Sequence, residues 1–98
     1  MSDMPKQTIV YGAPACPGVP PVRGLLGRAK VPYIYVDISR DRAAAARVRA
    51  INDGNESVPT LVFADGSSLI EPSAGQLTRK LEALGYRVIP IVWLIDNA

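Results

Sequence analysis

Short β-branched runs alternate with segments of helical period along this chain, and that alternation narrows its fold to layers of helix on sheet. Thr8-Ile9-Val10-Tyr11 reads as a first strand and Tyr33-Ile34-Tyr35-Val36-Asp37 as a second. Between them a helix carries Leu25, Leu26 and Ala29, weakened by Gly24 and Gly27. Ser39 is placed to cap a second helix, with Asp41 in its positive first turn. Ala44, Val48 and Ile51 then recur at helical spacing, and Gly54 stops it. Pro59 opens a third strand, Thr60-Leu61-Val62-Phe63, and Asp65-Gly66 turns it into an antiparallel partner, Ser68-Leu69-Ile70-Glu71. Ser73-Ala74-Gly75-Gln76 has the form of a capping box. Leu77, Leu81 and Leu84 line one face of the helix that follows, and Gly85 ends it.

The order β-α-β-α-β-β-α, joined by right-handed crossovers, gives an α/β fold: a four-stranded mixed sheet flanked by helices, of thioredoxin-like type. A chain of 98 residues supports one domain, 1–98, with a core at about 8–85 and a C-terminal extension at 86–98. In the extension, Val88 to Ile95 is apolar at both parities. It reads as an extra strand or turn packed on the domain, with a homodimer or partner contact through 88–95 as the alternative, since a bare patch containing Trp93 is a liability in a monomer. The run is too short to span a bilayer and is broken by Pro90, so no membrane role is expected. Met1-Ser2-Asp3-Met4 lacks the basic start of a signal peptide.

Cysteine and histidine usage limits the chemistry further. With no histidine and one cysteine the usual zinc sites cannot be built, and no metal is expected. A single thiol forms no internal disulfide, which suits a reducing cytoplasm. Arg40, Arg42, Arg47 and Arg49 gather near one helix, but no aromatic residues interleave with them. They read as a solvated helix face, and no nucleic-acid partner is expected.

The one thiol sits in Ala15-Cys16-Pro17-Gly18-Val19, directly after the first strand. Ser57-Val58-Pro59-Thr60 precedes a later strand and is a context in which a cis proline can face a thiol. A cysteine after the first strand and a Val-Pro-Thr before a later one form the skeleton of a thiol–disulfide exchange site. Val19 stands where a Cys-x-x-Cys would place its second cysteine. Pro20 and Pro21 lack N–H groups, so regular helix is expected to start near Pro21, several residues after Cys16. That spacing weakens the helix dipole at the sulfur and leaves the N–H groups of Gly18 and Val19 to reach it from a loop.

With these residues placed, the chain resembles a glutaredoxin, closest to the actinobacterial mycoredoxin branch, over roughly Thr8 to Gly85. The likeness rests on Val36-Asp37-Ile38, Arg42-Ala43-Ala44-Ala45, Asn55 through Thr60, Phe63-Ala64-Asp65-Gly66-Ser67 and Pro72-Ser73-Ala74. It implies that Cys16 is a nucleophile in the loop before the first helix, and that Pro17, Gly18 and Thr60 belong, with Val58, Pro59, Ser73 and Ala74, to the site that binds a small-thiol cosubstrate. It also implies that Pro59 is a cis proline beside Cys16, next to Thr60, and that the Val58 backbone pairs with a low-molecular-weight thiol, glutathione or mycothiol. Ser73 and Ala74, at a helix N-terminus, would receive that cosubstrate's carboxylate.

The activity the resemblance implies is monothiol exchange on protein mixed disulfides, in which a second small thiol resolves the intermediate. No bound cofactor is implied. The chain departs from the family pattern at four places. Val19 replaces the resolving cysteine, Ala13 a lysine, Glu56 a basic residue and Gly75 an aspartate that holds the cosubstrate's amino group. Two other readings stand beside this one. The first is a redox-inactive thioredoxin-fold module that binds a partner through its apolar tail. The second, ranked below it, is iron–sulfur carriage by Cys16 from two subunits, for which the usual Cys-Gly-Phe-Ser is absent.

Overall fold

A computed structural model describes residues 7–88. Its elements run β1 (Thr8–Gly12), α1 (Val19–Arg28), β2 (Tyr33–Asp37), α2 (Arg42–Ile51), β3 (Thr60–Val62), β4 (Ser68–Ile70) and α3 (Ala74–Ala83). The strands form one sheet in the order β2-β1-β3-β4. β1 pairs in parallel with β2 and antiparallel with β3, which pairs antiparallel with β4. The architecture is the expected thioredoxin-like one. From Ile89 onward the apolar extension, and with it the proposed contact through 88–95, lies outside the described residues. Among the described residues no helix is long and apolar enough to cross a membrane.

Side-chain alternation divides the core between the two faces of the sheet. Val10 and Leu61 point to one face, where they join Leu25 and Leu26 of α1, Leu77 and Leu81 of α3, and Phe63. Tyr11 points to the other, onto Ala44, Ala45 and Val48 of α2. Leu26, Leu61, Leu81 and Phe63 are wholly buried. Each such side chain contributes about 1.5–3 kcal/mol of transfer free energy.

Two helix starts differ from the sequence expectation. α1 begins at Val19 rather than near Pro21, with Gly18 as its N-cap. Pro20 and Pro21 thus occupy the first turn, where N–H groups have no intrahelical acceptor and proline forfeits nothing. α2 is capped by Asp41 and not by Ser39: the Asp41 carboxylate accepts from the Ala44 N–H at 3.0 Å. Ser39 is already committed, because its N–H and hydroxyl both donate to the Asp37 carboxylate, at 2.9 and 2.6 Å. The capping box of α3 forms as expected. Ser73 Oγ accepts from the Gln76 N–H at 3.1 Å, and Gln76 Oε1 accepts from the Ser73 N–H at 2.8 Å.

The strand ends also shift slightly. β3 stops at Val62 and β4 at Ile70, one residue short of expectation in each case. Gly66, at φ 88°, makes the turn between them, and the Phe63 N–H donates to the Ser67 carbonyl at 2.8 Å.

Candidate active site

The C-terminal end of β1 delivers the chain into a loop that presents Cys16. That loop is built from two consecutive turns. The Cys16 N–H donates to the Ala13 carbonyl at 3.1 Å, and the Val19 N–H donates to the Cys16 carbonyl at 3.3 Å. The Val19 N–H is therefore spent on a carbonyl and does not reach the sulfur. Cys16 is half-buried, and its thiol donates to the Val58 carbonyl at 3.2 Å, across 42 residues of sequence.

Val58 precedes Pro59 through a cis peptide bond. This segment is tied down on both sides. The Glu71 N–H, at the end of β4, donates to the Pro59 carbonyl at 2.8 Å. Beneath it, the wholly buried Thr60 donates its hydroxyl to the Ser57 carbonyl at 2.7 Å and accepts from Asn52 Nδ2, at the end of α2, at 3.2 Å. A buried hydroxyl needs such partners, and here they brace the Ser57–Pro59 turn. The Thr60 side chain therefore supports the site from below. Gly18 completes the join: a side chain built there would begin 3.1 Å from Pro59 Cδ and 3.9 Å from Cys16 Sγ.

Cys16 lies between two clefts. One, of about 310 Å³, is lined by Cys16, Pro17, Gly18, Val58, Pro59, Glu71 and Pro72. Five of the residues singled out from sequence thus share one concavity. Ser73 and Ala74 follow directly on Pro72 and are exposed, but they do not line it. Ser73 spends both its N–H and its hydroxyl within the capping box, which leaves the N–H groups of Ala74 and Gly75 as the free donors of that helix start. Glu71 and Pro72, placed from sequence in a strand end and a family motif, were not expected to line the site. Glu56 is not a lone acid beside the Val-Pro, because its carboxylate accepts from Arg49 Nη1 at 2.8 Å on the surface.

The second cleft, of about 370 Å³, lies on the α1 and β2 side of Cys16, with Ala13, Val19, Pro20, Arg23 and Tyr35 among its walls. Tyr35 is held there by a close approach: a Cβ on Gly12 would come within 2.8 Å of the Tyr35 ring. Burial pushes the Tyr35 hydroxyl above its usual pKa and Asp37 pushes the same way, against a smaller opposing pull from Arg23, so it stays a neutral donor. The Arg23 guanidinium rests 4.5 Å from the Tyr35 ring centroid, and its Nε donates to the Tyr33 hydroxyl at 3.1 Å. Sequence reasoning passed over Arg23 and Tyr35. A glycine ending a strand, where a partner strand's aromatic ring can cross the backbone, was the available signal.

Among the described residues no cluster of three or more histidine, cysteine, aspartate or glutamate side chains could hold a metal. The chemistry this arrangement supports is that of a lone thiol, framed by two clefts and a fixed backbone carbonyl.

Comparison with known proteins agrees with this geometry. The family model described as Glutaredoxin matches residues 8–69. The chain is 50% identical over 52 residues to Rv3198A of Mycobacterium tuberculosis, a protein that carries the glutaredoxin name; the match covers 53% of this chain and 62% of that protein's length. It is 34% identical over 76 residues to mycoredoxin 1 of Corynebacterium glutamicum, covering 76% of this chain and 92% of that protein. Among solved structures, a mutant of the thioredoxin-like protein BC3987 superposes with a TM-score of 0.70 at 31% identity, over 80% of this chain and 97% of that one. A glutaredoxin from Archaeoglobus fulgidus shares the fold, with a TM-score of 0.66 at 20% identity over 76% of this chain and 84% of that one.

Proposed function

This chain belongs to the glutaredoxin family, and on that premise we propose that it is a monothiol thiol–disulfide oxidoreductase acting through Cys16 on protein mixed disulfides. The observation that carries this reading is the Cys16 thiol itself, half-buried between two clefts and 3.2 Å from the Val58 carbonyl beside cis-Pro59.

In the first step the Cys16 thiolate attacks the small-thiol sulfur of the mixed disulfide. A new S–S bond forms at Cys16, the old one breaks, and the target protein leaves as a thiolate that takes up a proton. In the second step a free small-thiol molecule, as its thiolate, attacks the Cys16 adduct. The symmetrical small disulfide departs and the Cys16 thiolate is restored. No second protein cysteine is needed, which is consistent with Val19 at that position. Ionisation of Cys16 removes the S–H donor from the Val58 carbonyl, and that carbonyl then becomes free to accept from a backbone-like N–H of the cosubstrate.

Charge separates the two candidate cosubstrates. Glutathione carries two carboxylates and one ammonium, a net negative charge, whereas mycothiol carries no charged group. The Pro59 cleft has Glu71 as its one charged lining residue, and the Ser73 N–H is occupied by Gln76. The acid in the cleft favours the uncharged mycothiol, as does the likeness to mycoredoxin 1. The free Ala74 and Gly75 N–H groups leave the helix start able to accept either cosubstrate. Such chemistry suits a reducing compartment such as the cytoplasm.

The test is to incubate the protein with a peptide mixed disulfide of each small thiol and follow adduct mass at Cys16, then its release by free thiol. The expected result is a Cys16 adduct that forms and turns over, faster for mycothiol, and is absent from Cys16→Ser. Adduct forming no faster than on an unfolded peptide would instead mark the domain as a redox-inactive binding module.

A further inference from the structure

On the proposed reading the small thiol sits in the Pro59 cleft, which leaves open a second cleft beside Cys16 whose chemistry differs from that of the first. The Pro59 cleft is lined by an acid, Glu71; the α1-side cleft is lined by a cation, Arg23. Arg23 is also preset. Its Nε is committed to the Tyr33 hydroxyl at 3.1 Å, and its guanidinium lies over the Tyr35 ring at 4.5 Å. A stacked guanidinium with one donor fixed keeps its remaining N–H groups in a defined fork, the geometry that suits a carboxylate.

No carboxylate of the described residues pairs with Arg23. Asp37, two residues beyond Tyr35 on β2, is engaged by Ser39 and faces Arg40 instead. The cation is therefore exposed, oriented and, among the described residues, without a carboxylate partner at the rim of a cleft that contains the reactive sulfur.

We propose that the Arg23–Tyr35 cleft receives the polypeptide side of the mixed disulfide and selects targets with an acidic residue next to the modified cysteine. This rests on the reading of Cys16 as the nucleophile. When the small thiol occupies the Pro59 cleft, the opening left beside Cys16 is this one, and the departing target chain crosses it. An aspartate or glutamate one or two residues from the target cysteine then meets the Arg23 fork, while a lysine there is repelled. Arg23 is in this account a specificity-determining residue, and the exchange of sulfur partners proceeds as described above, with the target thiolate as leaving group.

The test uses two short peptides that differ only in a glutamate or a lysine beside one cysteine, each joined to the same small thiol. Transfer of that thiol to Cys16 is timed by mass spectrometry at low salt. The acidic peptide should react about fivefold faster, with the preference shrinking as salt rises to about 0.5 M. Arg23→Glu should invert the order of the two peptides, and Arg23→Gln should bring their rates together. Equal rates for the two peptides on the wild-type protein, with Cys16 still taking up the thiol, would overturn the proposal and leave the oxidoreductase reading intact. No transfer from either peptide, and none from the symmetrical small disulfide, would overturn both.

Discussion

Gly18 and Pro59 meet so closely that a side chain on the first would start 3.1 Å from Cδ of the second, against the wall of the Cys16 cleft. Pro59 is buried, and its carbonyl is held by the Glu71 N–H, so the ring has little room to yield. Gly18→Ala should therefore cost about 1–3 kcal/mol of stability through overpacking. It should also slow Cys16 adduct formation, by moving the thiol loop away from Val58. Denaturant melts and the Cys16 alkylation rate check the two effects, and unchanged values for both would show that the contact relaxes freely.

Thr60 carries a larger share of the site than its place at the start of β3 suggests. Its hydroxyl joins the end of α2, through Asn52, to the Ser57 carbonyl two residues before Pro59. Thr60→Val keeps the shape but strands the part-buried Ser57 carbonyl and Asn52 amide, which should cost about 1–3 kcal/mol. Asn52→Ala removes one partner and leaves the Thr60–Ser57 bond in place, so its cost should be smaller, about 1 kcal/mol. In both variants the Cys16 adduct should form more slowly, because Val58 loses its brace. Thermal melts with the adduct assay in parallel decide this, and the idea fails if Asn52→Ala proves the more harmful of the two.

Local chemistry made much of this molecule readable from sequence, and long-range register hid the rest. The period switches, the span Tyr33–Asp37 and the Ser73–Gln76 capping box depend on residues a few positions apart, and the structure reproduces them. Pro20 and Pro21 misled for a local reason, since the missing N–H groups fall where a helix needs none. Ser39 misled because a carboxylate two residues earlier competed for its hydroxyl. Arg23, Tyr35 and Glu71 could not be found that way. Arg23 meets Tyr35 only once α1 folds back over β2, and Glu71 reaches the cleft only through the β3–β4 hairpin.

Gly75 offers a gain rather than a loss. It occupies the second position of α3, where a Cβ would meet Arg79 Nη1 at 3.5 Å and Ser73 Oγ at 4.0 Å, both ordinary contact distances. Gly75→Asp should stabilise the protein by about 0.5–1 kcal/mol, by removing a flexible glycine and placing an anion in the positive first turn. It also restores the carboxylate that the family pattern uses for a cosubstrate amino group, so the KM for glutathione should fall while that for mycothiol changes little. A higher denaturation midpoint with an unchanged glutathione KM would retain the helix argument and remove the cosubstrate one.

Acid should expose the turn that leads into α2. The Ser39 hydroxyl and N–H, with Arg40 nearby, hold the Asp37 carboxyl below the usual carboxylate range. A folded-state value below the unfolded one, near about 3.9, means that the unfolded chain binds more protons in that window. The contribution of Asp37 is then complete above the unfolded value and is lost as pH falls through the folded one. Asp65, held down by the Ser67 hydroxyl and N–H, acts in the same direction. Ser39→Ala should return the Asp37 pKa toward the ordinary value, read by NMR titration of its carboxyl carbon. The stability gap between wild type and variant should be present near neutral pH and close in strong acid. A gap of constant size at every pH would mean that Ser39 acts through the turn's backbone and not through the Asp37 charge.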